Sequence, residues 1–451
     1  MVETAMGHIP RLQEYRPGSS RSGGRLTEAG ATSPVWNVIP TPTQAFILWE
    51  LYCDNVAPVI PLLHKPSICS LLMDSASAGD SLDPVTKSLL LAVCLSAVVT
   101  MTPAQCLRDL GASLPSIVRC YRDALQNALN DAKLWSTRNT TLLQAAALYI
   151  TAIRNHTEDP AYVWALLAVI IRRALNTGLH RDAAALRVSQ LEVEMRRRLW
   201  WHLCLLDQRA SEDQGTSPEL LPVSSNVRLP LNVNDDDILP TSTLPIQERI
   251  GVTDMTFANI RYESIRAVWD MRRELESRRC APHRQCRCID MCSDTSARLF
   301  SRLHRDYISH FNPDHPLVRW YVGIARVVPK VTFVIHHPFS RDQMTDLPLD
   351  LLDGFFMTAV EAVEFCRFIE TCTLTAKWRW HFRQSSTRWH LLTFLLTELC
   401  VRPPCPSVDR AWLAVSAAYR EWDLAVAGKE WQTVTALMEH AASIRNSSSD
   451  L

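Results

Sequence analysis

From Thr43 to about Ser443, apolar residues recur at three- and four-residue steps, and no segment alternates cleanly enough to read as a strand. Within Leu114–Leu129, the residues Leu114, Ile117, Val118, Tyr121, Leu125 and Leu129 share one helical face, with Arg119, Arg122, Asp123 and Asn127 largely opposite. Thr140–Arg154 repeats the pattern with a wider apolar face. Ala161–Asn176 is apolar nearly all round from Val163 to Ile171, which predicts a central helix. It ends at Thr177-Gly178, where glycine suits the left-handed position after a helix. Leu191–Leu206 carries a stripe of Leu191, Met195, Leu199, Leu203 and Leu206. Further helices are expected over Asp254–Arg279, Thr295–His310, Leu317–Val334, Leu349–Thr371, Thr387–Cys400, Val408–Ala425 and Glu430–Ile444. Only 13 glycines occur in 451 residues, few for a fold whose tight turns need positive φ. The expected fold class is all-α.

Residues 1–42 read as a disordered N-terminal segment, since Arg16 to Ser33 is rich in Gly, Ser and Arg with almost no large apolar side chain. Residues 43–445 then form the folded domain. Pro218, Pro222, Pro230, Pro240 and Pro245 mark an irregular stretch, and a subdomain break is expected near 211–253.

Lys+Arg and Asp+Glu both number 47. A chain that grips nucleic acid by itself carries a basic excess, so this balance argues against direct DNA binding. Many of the 14 cysteines lie in apolar runs, as at Cys94 and Cys204. No secretory signal precedes them, which points to reduced thiols in the cytosol or nucleus. The longest apolar run, Leu89 to Met101, is too short to span a bilayer, and no membrane contact is expected.

The residues Gly178-Leu179-His180-Arg181-Asp182 join two expected helices. Arg196-Arg197-Arg198-Leu199-Trp200-Trp201 follows on the second, then Asp207-Gln208-Arg209. Three successive arginines fan over about 200° of a helix, so they cannot face solvent equally. Glu192 and Glu194 stand three or four residues before them, which favours ion pairs along the helix. A phosphate-binding patch is the functional reading. An ion-paired helix whose arginine stems pack on its neighbours is the structural one, and it is the expectation here.

These same residues closely resemble the signature of the fungal-specific transcription factor domain, the middle homology region of zinc binuclear cluster regulators. Leu48-Trp49 through Pro61-Leu62-Leu63-His64-Lys65-Pro66 is similar to the family's opening helix and the loop after it. Arg228-Leu229-Pro230-Leu231-Asn232-Val233-Asn234-Asp235 resembles the segment after the signature helix. Trp389-His390 through Glu398-Leu399-Cys400 and Arg402-Pro403-Pro404 resembles a C-terminal stretch of the same subgroup. The resemblance implies a large all-α regulatory domain, a nuclear location and control of metabolic genes, in particular a specialised-metabolite gene cluster. It implies no enzyme, no cofactor and no bound metal, with transcription machinery or a DNA-binding partner as company and a small-molecule effector as the input. Family members carry six cysteines in paired C-x2-C spacing near the N-terminus. Here the first cysteine is Cys53 and no C-x2-C pair occurs, so no counterpart of the zinc cluster is read. Loss of the module and a truncated gene record both fit that pattern.

Cys280, Cys286, Cys288 and Cys292 with His283 could hold a metal or react as thiolates beside Arg278, Arg279, Arg284 and Arg287; an interhelical loop with incidental thiols is expected. Asn234-Asp235-Asp236-Asp237 invites comparison with magnesium-dependent helical enzymes such as terpenoid synthases. It lies between Pro230 and Pro240 with no second motif, so a solvated turn or helix cap is expected. His336-His337-Pro338 reads as a helix end. Trp378, Trp380, Trp389 and Trp412 read as core or interface anchors. Finally, the helices Ala161–Asn176 and Leu191–Leu206 are candidate walls of an effector pocket, with His180 and His202 as its polar groups and Pro218–Pro245 as its cover.

Overall fold

The computed structural model describes residues 40–449 apart from 79–81, 155–159, 215, 221–222, 242–244, 278–284, 313–319, 326–348, 383–385 and 423–428. The expected disordered segment, up to residue 39, lies outside the described residues, as do Cys280 with His283, the side chains of Cys286, Cys288 and Cys292, and His336-His337-Pro338. Every regular element among the described residues is helical. No described helix is long and apolar enough to cross a membrane.

The helices are α1 (Pro42–Leu51), α2 (Lys65–Ala78), α3 (Pro84–Val98), α4 (Pro103–Leu110), α5 (Leu114–Asp131), α6 (Thr140–Arg154), α7 (Pro160–Asn176), α8 (Gln190–Gln214), α9 (Thr256–Ser277), α10 (Gln285–Asp306), α11 (Leu349–Thr371), α12 (Ser386–Leu399), α13 (Pro406–Glu421) and α14 (Lys429–Ser449). A π turn, Tyr52–Val56, continues α1, and a long 3-10 segment spans Thr373–Phe382. The starts are set by side chains that take up free backbone N–H groups. Thr102 and Gln105 form a reciprocal capping box on α4, Asp83 caps α3 ahead of Pro84, and Asn139 accepts from Thr141 and Leu142 on α6. Gly178 has φ +74°, and the amides of Gly178 and Leu179 bond back to the carbonyls of Leu175 and Ala174. That is the glycine-terminated helix end expected from Thr177-Gly178.

The core forms two apolar clusters. The larger runs from Leu48 to Trp380 and the smaller from Phe356 to Ala441, and Phe365 on α11 packs against both. α3 packs on α5 and α6, α7 on α6 and α8, and α9 on α8 and α10, while α11, α12, α13 and α14 pack among themselves. The central helix is not Ala161–Asn176 as expected. α7 buries one stripe, Val163, Leu167, Ile170, Ile171 and Ala174, whereas α6 is buried without interruption from Leu142 to Arg154. The polar residues of α6 are buried because they are bonded: Gln144 donates to the Leu62 carbonyl at 2.9 Å and Thr151 contacts His202 at 3.0 Å.

Candidate functional site

α8 is the organising element. Its three arginines take their partners in three directions. Arg196 donates to the Thr177 carbonyl at the end of α7 and lies 3.7 Å from Glu192. Arg197 forms a two-pronged pair with Asp182, both contacts at 2.9 Å. Asp182 also accepts from the backbone N–H groups of Ala184 and Arg228. Desolvation raises the Asp182 carboxyl, but Arg197 and these amides outweigh it and hold the group at about 2.

Arg198 is fully buried. It donates to Asp235 at 2.7 Å, to Glu194 at 3.2 Å and to the Pro61 carbonyl at 3.4 Å. Asp235 in turn accepts from the Lys65 N–H at 2.8 Å, its own N–H donates to Asp254, and its carbonyl contacts the His64 ring at 2.9 Å. Lys65 closes the circuit with an ion pair to Asp254 at 2.9 Å. Burial pulls the Arg198 guanidinium down, but Asp235 and Glu194 more than reverse this, so it stays charged. The expected solvated turn at Asn234–Asp237 is therefore half right. Asn234 does cap a short 3-10 helix, but Asp235 is buried, because a guanidinium inside the protein requires a carboxylate there.

The described residues after α8 are irregular yet bonded back to the helices at several points. Trp201 donates to the Arg228 carbonyl at 2.9 Å and stacks on Tyr262, Leu231 N–H donates to Glu194, Asn259 donates to the Pro230 carbonyl, and Leu220 N–H donates to Asp207 at 2.7 Å. Trp200 and Trp201 are both buried, and Arg181 is exposed.

Residues 49–294, more than half of the chain, match the fungal specific transcription factor domain. The chain belongs to that family. Its residues are 26% identical over 390 positions to the aurofusarin cluster transcription factor aurR2 of Gibberella zeae, covering 84% of this chain and 56% of that protein. They are 28% identical over 386 positions to the transcriptional regulator AacuB of Aspergillus aculeatus, covering 84% and 52%. Over 399 positions they are 27% identical to the pyriculol/pyriculariol biosynthesis cluster transcription factor 1 of Pyricularia oryzae, covering 83% and 51%. The chain thus spans about half the length of each of these relatives.

In this fungal transcription factor domain, a second polar group lies further along α8 on the side of Arg198, since His202 and Arg209 follow it by four and eleven residues. His202 is buried against Thr151, and Arg209 donates to the His381 carbonyl at 3.3 Å. Arg261 on α9 contacts the His381 ring at 2.6 Å. Arg154 pairs with Asp213 at 2.6 Å. Burial, then the charges of Arg261 and Arg209, push His202 down to about 3, and burial pushes His381 well below its usual range. His202 is therefore neutral in the folded protein and takes up a proton only on unfolding as pH falls below about 6.5. Its contribution to stability is present above that pH and is lost toward 3, amounting to about 2 kcal/mol at pH 5. Asp207, raised to about 6 by burial, acts oppositely: its contribution is present below its unfolded value and is lost as pH rises through 6. A His202→Gln variant is expected to lose less stability than the parent between pH 7 and pH 5 in guanidinium titrations. Parallel loss in the two proteins would refute the assignment.

His180 contacts Trp200 with ring centroids 6.3 Å apart, while His202 sits about 200° further round the same helix. α7 and α8 pack together as expected, but the two histidines assigned to one effector pocket are not brought together. The reason is the two-residue offset between the positions they address. The proline-rich segment bonds directly to Glu194, Trp201 and Asp207. A cavity of about 330 Å³ lies on the other side of α6, between α3, α5 and the start of α7.

Sequence reasoning missed Lys65, Asp254, Arg261 and His381 as polar partners of α8. His64, Lys65 and Asp235 stand inside the segments Pro61–Pro66 and Arg228–Asp235 that carry the family resemblance, so the signal was present. Their meeting is a tertiary fact, with His64 and Asp235 separated by 171 positions.

Proposed function

We propose that this domain is the regulatory part of a nuclear transcription factor that controls a specialised-metabolite gene cluster, working through effector or protein contacts and not through catalysis. The observation that carries the reading is the domain match together with relatives named as cluster transcription factors. The signature residues support it from the structural side. Gly178, Asp182, Arg196, Arg197, Arg198, Trp200, Trp201, Asp207 and Arg209 are turned to helix ends, ion pairs and packing. The rival helical metal-dependent enzyme needs free carboxylates that converge. Asp235 is taken by Arg198 and Lys65, and Asp237 by Arg249 and the Asn234 N–H. Among the described residues no three His, Cys, Asp or Glu side chains are grouped as metal ligands. Deleting and overexpressing the gene in its fungus, followed by RNA sequencing, tests the proposal. A coordinated change in one contiguous block of biosynthetic genes is the expected result. Unchanged transcripts alongside turnover of a prenyl diphosphate by the purified chain would overturn it.

Partners follow from the same reading: transcription machinery or a DNA-binding partner, with a small molecule as input. For residues 1–451 by themselves, a mobility-shift titration is expected to find no sequence-selective duplex binding. Opposite charges are equal in number, and no paired cysteines of the zinc-cluster kind occur. Selective, salt-dependent binding by this chain would contradict that expectation.

A further inference from the structure

The cavity beside α6 has an apolar floor and polar walls. The floor is Leu95 and Val99 from α3 and its end, Val118 from α5, and Ala152 and Ile153 from α6, and four of these five are buried. The polar lining is Arg122 and Gln126 of α5 with the buried Tyr149 of α6 and the exposed Tyr162 of α7. Val118, Arg122 and Gln126 are spaced four apart, so a single stripe of α5 grades from apolar to cationic to amide along the cavity. The Gln126 amide nitrogen donates to both phenols, at 2.5 Å to Tyr149 and 3.1 Å to Tyr162. This ties the two phenols to one amide of α5. Arg122 donates through Nε to Asp123 at 3.2 Å. A guanidinium has five N–H donors, so the fork retains capacity for a second anion.

We propose that this cavity binds a small aromatic carboxylate, with its ring on the apolar floor between the two tyrosines and its carboxylate on Arg122. The volume, about 330 Å³, is at the small end of the range for ligand pockets, roughly 300–1,000 Å³. It suits a one- or two-ring molecule. Burial pushes the Tyr149 phenol up, so it remains a neutral hydrogen-bonding group beside the ligand. The site also has a route to α8. Tyr149, Ala152 and Ile153 face the cavity, while Thr151 and Arg154 of the same helix hold His202 and Asp213 of α8. A ligand on one side of α6 therefore bears on the helix that carries the family signature. That role as regulatory input rests on the function proposed above; the binding itself does not.

The probe is 2-naphthoate, with neutral 2-naphthamide beside it, in thermal melts and calorimetric titrations of the full chain. The chain is expected to bind 2-naphthoate saturably with a rise in Tm. Arg122→Gln is expected to weaken 2-naphthoate about tenfold or more while leaving 2-naphthamide unchanged, since a charge-assisted bond is lost. Ala152→Phe fills the floor and is expected to abolish binding of both probes. If Ala152→Phe fails to fold, the Arg122→Gln comparison decides alone. Three results would overturn the proposal: no saturable binding by the parent chain, equal binding by Ala152→Phe, or an Arg122→Gln chain that binds 2-naphthoate as tightly as the parent. A parent chain that binds nothing while Ala152→Phe melts higher would mark the cavity as a packing defect. Transcript changes on gene deletion would still stand in that case, so the two readings fail separately.

Discussion

Replacing Asp235 by alanine is expected to destabilise the protein by about 3–5 kcal/mol, because it takes from a buried guanidinium the nearer of its two carboxylates and leaves only Glu194. Arg198 has no exposed surface, and its Nη2 already lacks a hydrogen-bond partner among the described residues. The substitution also removes the acceptor for the Lys65 N–H. The loss should appear as a lower guanidinium midpoint with little change in slope. The double variant Arg198→Met with Asp235→Asn should recover most of it, since it removes the buried guanidinium together with its nearer carboxylate. Glu194, left without its arginine, can take a proton, as burial already pushes its carboxyl up. A single-variant loss under 1 kcal/mol would mean that solvent reaches Arg198, contrary to its burial.

Trp200→Ala is expected to have an effect of the same size, about 3–5 kcal/mol, from lost burial and the cavity left behind. The residue is 2% exposed. Arg181→Ala, at an exposed position of the same signature, should move the midpoint by less than about 0.5 kcal/mol. The pair separates packing from function. A Trp200→Ala protein of full stability that lost a ligand or a partner would return the signature to a binding role.

The periodicity of the sequence was enough for helices whose apolar face is wide and whose ends are punctuated. Thr140–Arg154 and Leu349–Thr371 are observed with the bounds expected for them. It fell short where polar residues are buried by pairing. The stripe on Leu191–Leu206 stops at Asp207-Gln208-Arg209, yet α8 runs on to Gln214. Those polar side chains continue the helix because Leu220 N–H, the Trp269 indole and the His381 carbonyl meet them. The same blindness made α7, not α6, look central. Gln144, Tyr149 and Thr151 lower the apolar content of α6, and only their distant partners explain why they are inside. At the candidate site, the arginine–glutamate pairs at four-residue spacing were legible because both partners share one helix. Asp235 was not, because its partner is 37 positions away.

The π turn at Tyr52–Val56 carries a consequence for the order in which the protein is made. The carbonyls of Asp54 and Asn55 are met by the indole N–H groups of Trp378 and Trp380, at 3.1 and 3.2 Å. These contacts span 324 and 325 positions of sequence. On the ribosome, the first helix must therefore wait for most of the chain before its hydrogen bonding is complete. Contacts of such long separation slow folding and leave early structure exposed. They also mean that residue 294, where the family match ends, is not a boundary at which the chain can be cut. A fragment ending there would leave both carbonyls without their indoles. The opening helix and the tryptophan segment thus depend on each other across the two ends of the larger core.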